Sequence, residues 1–220
     1  MQPIIVLADA NILVKDVVSY VFYDLAKAKA IDLHWSPQIE AEYVKHRARL
    51  RAVADGRSTA TTEDFVWAAN RLLPIKRYLV PGYLPPGWDG DGNRLNELKG
   101  DPMFAPLLQL QDQDDVHVAL AAADLARSTG RAVLLVTENL KDLPAKVLEP
   151  FAVYPLHPGD VLELAYLRTP NKVADSVKKT TRDFKNPAFS LQDMLETIKS
   201  PRQFDNPALA LELARLWGLD

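Results

Sequence analysis

Short, continuous apolar runs that end in acidic or amide residues and give way to helical patterning constrain this chain most. Ile4 to Leu7 is such a run, rich in β-branched residues, and it ends in Asp9-Ala10-Asn11. A strand that is apolar on both faces must be covered on both faces, as in a parallel sheet under helices. Helical spacing follows through Leu13, Val17, Tyr20, Val21 and Leu25. Ile31 to Trp35 reads as a second strand. Ser36-Pro37 then supplies a cap and a first-turn proline for a helix running through Ile39, Tyr43 and Val44 into the basic stretch Lys45 to Arg51. Helical patterning returns from Phe65 to Leu73.

From Pro81 to Asp101 the chain is dense in Pro and Gly, and the reading there is a loop of about 20 residues, an insertion extending over 81–105. Order resumes with Asp112-Gln113-Asp114-Asp115 before an alanine-rich helix. Ala132 to Val136 is a further strand, ended by Thr137-Glu138-Asn139. A helix through Leu140 to Leu148 and a last strand, Phe151 to Leu156, complete the alternation. Strand–helix alternation predicts an α/β fold, a Rossmann-like parallel sheet flanked by helices, over residues 1–158. Residues 159–220 read as an all-helical extension: Asp160–Tyr166, Lys172–Asp183, a helix opened by the Ser190–Asp193 capping box, and Pro207–Leu216.

Composition narrows the function classes. The chain has 220 residues, 48% hydrophobic and 25% charged, which suits a globular protein with a full core. It has no cysteine, so disulfide scaffolds, thiolate zinc sites and cysteine nucleophiles are excluded. The formal net charge of −3 gives no global basic field, so any phosphate-binding surface must be local. The N-terminus lacks the pattern of a signal peptide, and no apolar stretch reaches the roughly 20 residues that span a bilayer. The expectation is a soluble, cytoplasmic protein that does not enter a membrane. No glycine-rich turn follows the first strand, which argues against dinucleotide binding.

In an open parallel sheet, chemistry gathers beyond the carboxyl ends of the strands. Asp9 and Asn11 follow the first strand, Asp112, Asp114 and Asp115 open the alanine-rich helix, and Asn139 and Asp142 follow the Ala132 strand. Each alone also serves as a helix cap or a solvated helix start. Their convergence on one rim is what caps do not explain. Gathered carboxylates repel one another and call for a counter-ion, and an all-oxygen set suits Mg²⁺ or Mn²⁺. Glu40 and Glu42 lie about 200° apart on their helix, so only one can face the rim, and Glu42 is the choice. His117, about 200° from Asp115 on its helix, is expected to face away from it.

Four stretches, in this order, resemble the signatures of PIN-domain nucleases. They are Asp9-Ala10-Asn11-Ile12-Leu13, Ser36 with Glu42, Asp112-Gln113-Asp114-Asp115-Val116-His117-Val118, and Thr137 to Pro144. The last two, with Asn186-Pro187 ahead of the capping box, are most similar to a bacterial branch that includes VapC-type toxins of toxin–antitoxin pairs. The resemblance implies a PIN-like fold and a Mg²⁺- or Mn²⁺-dependent endoribonuclease that leaves 5′-phosphate and 3′-hydroxyl ends. It implies Asp9, Glu42 and Asp115 as catalytic metal ligands, Asp112 and Asp142 completing the acidic set, and Asn11, Thr137 and Asn139 in support. Asn139 departs from the acid that many PIN domains carry there. The resemblance also implies an RNA substrate, a small antitoxin partner and a homodimer. Lys45, Arg47, Arg49 and Lys141 are the candidate phosphate contacts, and Tyr83 and Trp88 are candidates for stacking on bases or anchoring the loop. The competing reading is a PIN-fold module that binds RNA or protein without cleaving.

Overall fold

The structure is a computed structural model, described here for residues 2–79, 82–89, 93–185 and 188–219. Asn186-Pro187, cited above in the resemblance, and Pro81 and Gly90-Asp91-Gly92 of the expected loop lie outside the described residues. Four strands, β1 (Ile4–Ala8), β2 (Ile31–His34), β3 (Val133–Val136) and β4 (Val153–Leu156), form one sheet in the order β2-β1-β3-β4. All three pairings are parallel. The five residues of β1 are all buried, as a strand under two helical layers must be.

Helices α1 (Ala10–Val14), α2 (Asp16–Lys27), α3 (Pro37–Ala54), α4 (Thr62–Tyr78), α5 (Asn93–Gly100), α6 (Val116–Thr129) and α7 (Ala145–Leu148) surround the sheet. Local chemistry sets their ends. The Ser36 hydroxyl accepts from the Ile39 amide and Pro37 occupies the first turn, which starts α3. Gly130, at φ +63°, ends α6 in the left-handed conformation.

Three sequence expectations are corrected. The helix expected through Leu13 to Leu25 is two helices. Lys15 between them adopts extended backbone (φ −79°, ψ 109°) and sends its ammonium to Glu138 and to the Arg202 carbonyl. The helix expected from Leu140 is confined to Ala145–Leu148, because Pro144 disfavours helical backbone at Leu143. The expected 81–105 loop contains α5, and a 3₁₀ stretch begins at Pro102 and runs to Gln109. A buried acid organises it. Asp124 of α6 accepts from the Trp88 indole (2.9 Å) and from Arg94 (2.7 and 3.0 Å).

The C-terminal extension is α8 (Pro158–Arg168), α9 (Pro170–Asp183), α10 (Leu191–Lys199) and α11 (Pro207–Trp217). It belongs to the same core. Val161, Leu162, Val173, Val177 and Leu213 are fully buried in one apolar cluster with Ile5, Val6 and Leu33. Buried Asp24 on α2 accepts from Thr180 (2.8 Å) and Lys179 (2.9 Å), which fixes α9 against α2. Gly159 allows the close approach of the chain just before α11, since a Cβ there would meet the Phe204 carbonyl oxygen at 1.7 Å. Among the described residues, no helix is long and apolar enough to cross a membrane.

Candidate metal centre

The sheet order creates the site. From β1 the chain moves to β2 on one side, and β3 lies on the other, so a crevice opens beyond the carboxyl ends of β1 and β3. Ala8 pairs with Val136, and the next residues along the two strands are Asp9 and Thr137. The Thr137 hydroxyl donates to Asp9 Oδ2 at 2.7 Å, and the Asn11 amide donates to the same oxygen at 2.7 Å. Asp9 Oδ1 accepts from the Ala10 N–H at 2.6 Å. Asp9 is therefore buried and held from both oxygens.

Around it lies a cleft of about 320 Å³ lined by Asp9, Asn11, Glu42, Lys45, His46, Arg49 and Asp115. Glu42 comes from α3. Glu40, on the other side of that helix, is occupied elsewhere, by the Trp35 indole (3.2 Å) and Lys76 (2.7 Å). Asp115 stands at the N-cap position of α6 but makes no capping bond, and it accepts instead from the Asn139 amide at 2.5 Å. Asn139 in turn is fixed by its own N–H to Thr137 Oγ1 at 3.0 Å. One carboxylate oxygen each from Asp112, Asp115 and Asp142 lie within 4.8 Å of one another. Thr137, Asn11 and Asn139 are thus the hydrogen-bonded frame of the acids.

The electrostatics follow from burial and crowding. The Asp115 carboxyl is pushed up to about 6, first by burial and then by the charges of Asp9, Asp112, Asp142 and Glu42. Burial also pushes Asp9 above the usual carboxylate range, against the Thr137 and Ala10 hydrogen bonds that favour its charge. His117 gains a neighbour that the reading along its own helix did not reach, with Nε2 3.5 Å from Glu42 Oε2. Burial disfavours its cationic form, yet the Glu42 carboxylate outweighs this and raises it overall. The angle between His117 and Asp115 along α6 concerns that pair alone, and Glu42 approaches His117 from another helix.

The basic run divides. Lys45 and Arg49 line the cleft, with His46. Arg47 does not. Its guanidinium is turned into the body, on the Asp16 carboxylate (2.6 Å) and the Val14 carbonyl (3.1 Å), so it is no phosphate contact. Arg51 faces Asp64. Lys141 is exposed on the turn beside Asn139, outside the residues that line the cleft. Trp88 is buried on Asp124 and Tyr83 stacks on Trp35 at 4.6 Å, so both are anchors rather than base-stacking platforms.

The donor set fits a hard divalent cation. Carboxylate oxygens of Asp112, Asp115 and Asp142 converge within 4.8 Å, and Asn11 Oδ1, beside Asp9, is buried with no hydrogen-bond partner. No family model, curated protein or solved structure matches this chain.

Proposed function

We propose that the chain is a divalent-metal-dependent endoribonuclease of the PIN type. The observation that carries this reading is the meeting of Asp9, Glu42 and Asp115 with Lys45, His46 and Arg49 in one cleft at the sheet's switch point. Acids alone suit a cation store and basic groups alone suit an anion site. Together they suit a metal-assisted reaction on a phosphodiester.

A bound Mg²⁺ or Mn²⁺ would supply positive charge to the phosphate and a more acidic water. Asp9, Glu42 and Asp115 would hold it, with Asp112 and Asp142 at the outer edge. The protein's own part is preorganisation. Thr137, Asn11 and the Ala10 N–H fix Asp9, and Asn139 fixes Asp115, so neither carboxylate must reorient when substrate arrives. Lys45 and Arg49 draw the phosphate backbone to the acidic rim, which would otherwise repel it. The proposal includes the role of toxin in a toxin–antitoxin pair, with a small antitoxin over this rim and a second copy of the chain as partner.

A second reading, a PIN-fold module that binds without cleaving, is favoured by the amide at Asn139. The experiment that separates them uses purified protein on end-labelled transfer RNA and a structured messenger RNA, with Mg²⁺, Mn²⁺ or EDTA, beside Asp115→Asn. Cleavage that requires metal and is lost in the variant is expected. Binding with no cleavage in either metal favours the module.

A further inference from the structure

His117 brings a nitrogen into a rim otherwise built from oxygen donors. Its side chain is largely buried, and Nδ1 lies 2.7 Å from the Asp114 carbonyl oxygen. A carbonyl oxygen only accepts, so Nδ1 carries a proton, and Nε2 presents a lone pair to a cation once the proton that Glu42 favours there is displaced. Nε2 is buried and has no hydrogen-bond partner, although Glu42 Oε2 stands 3.5 Å away. Two ligand atoms each about 2.1 Å from one ion lie roughly 3.0 Å apart on an octahedral edge and 3.4 Å on a tetrahedral one. Nε2 and Glu42 stand close to that separation, and beyond the usual distance of donor and acceptor. An imidazole that donates its other N–H to a backbone carbonyl is also the form in which histidine ligates metals, because that bond fixes tautomer and ring orientation.

We propose that His117 Nε2 and Glu42 are ligands of one divalent cation in the Asp9 side of the cleft, beside the all-oxygen Asp112, Asp115 and Asp142 triad. This rests on the metal-centre reading above and adds to it a donor that the carboxylates do not supply. The nitrogen has a consequence for metal choice. Mg²⁺ prefers an all-oxygen shell, whereas Mn²⁺ accepts imidazole more readily, so the His117 position favours Mn²⁺.

The test is pulsed electron paramagnetic resonance of Mn²⁺ added at one equivalent to the EDTA-stripped full chain. Modulation from a directly bound ¹⁴N is expected in the native protein, replaced by the ¹⁵N pattern after histidine labelling. It should vanish in His117→Gln and persist in His46→Gln, which controls for the other cleft histidine. Calorimetric titration should show Mn²⁺ affinity about tenfold weaker in His117→Gln and Mg²⁺ affinity changed less. Mn²⁺ uptake with no nitrogen coupling in the native protein overturns the ligand role while the metal centre stands, and leaves His117 as an ion-pair partner of Glu42. Nitrogen coupling that follows His46 overturns it equally. No Mn²⁺ uptake by the native protein overturns the metal centre itself. If His117→Gln fails to fold, coupling that persists in His46→Gln still carries the assignment, and its absence from the native protein still overturns it.

Discussion

Asn139 donates its side-chain amide to an Asp115 carboxylate oxygen across 2.5 Å, linking the turn after β3 to the start of α6. The amide supplies a hydrogen bond where an acid would add a like charge. Asn139→Asp is therefore expected to destabilise the metal-free protein at pH 7.5 by about 2 kcal/mol. Saturating Mn²⁺ should recover most of that loss. Urea unfolding in EDTA and in Mn²⁺ measures both, and equal stability of variant and native protein in EDTA would remove the assigned role.

The position of Asp115 predicts a pH dependence. Its carboxyl titrates near 6 in the fold and near the ordinary carboxylate value when unfolded, so it is raised. Its favourable contribution to metal-free stability is present below about pH 4 and is lost as pH rises through about 6. In EDTA, Asp115→Asn should be more stable than the native protein above pH 6, by about 1 kcal/mol because the carboxyl is only half-buried, and no more stable near pH 4. A bound cation competes with the same proton, so Mn²⁺ affinity should fall as pH drops below 6, up to about tenfold per unit for one proton. Thermal unfolding and calorimetric titration across pH 4 to 8 check the two parts.

Arg47 and Arg49 are neighbours in sequence with opposite assignments. Arg49→Ala should weaken RNA binding roughly threefold to tenfold and lower the salt slope of log affinity by about 1. Arg47→Ala should leave the affinity of the folded protein unchanged and cost about 2 kcal/mol, since Asp16 and the Val14 carbonyl lose their donor. Fluorescence anisotropy at several salt concentrations, with unfolding curves, distinguishes them.

The buried carboxylate of Asp24 ties the C-terminal extension to α2. Asp24→Ala should cost about 2 kcal/mol by removing the buried acceptor that joins α9 to α2, although Lys179 keeps Asp183 and Thr180 keeps the Ser176 carbonyl. Amide exchange should rise in both α2 and α9 in this variant. Faster exchange in α9 alone would show that the extension is an independent appendage.

The sheet was legible because β1 and β3 are apolar on both faces, a pattern set by short-range sequence. The rim was legible for a related reason. In a parallel sheet every strand ends at the same edge, so Asp9 and Thr137 meet once Ala8 and Val136 pair. What stayed hidden depended on partners far away in sequence. The chain around Trp88 and Arg94 carries Pro and Gly that spell a loop, but Asp124, thirty residues beyond Arg94, gives it an anchor. Arg47 reads as one more cation in a basic run until Asp16 is seen beneath it. His117 was set aside by an angle measured along its own helix, while its neighbour Glu42 came from α3. The break at Lys15 was invisible for the same reason, since its partners are Glu138 and the Arg202 carbonyl.

The central claim is that the carboxylate rim is a metal-dependent phosphodiesterase, and the ends of a cut RNA test it most directly. Native protein, Asp9→Asn and Asp115→Asn are each incubated with end-labelled RNA in Mn²⁺, and the termini are identified by phosphatase and ligase treatment. The account predicts 5′-phosphate and 3′-hydroxyl ends with native protein only, and none in EDTA. Cyclic or 3′-phosphate ends, or cuts that survive in both variants, would contradict it.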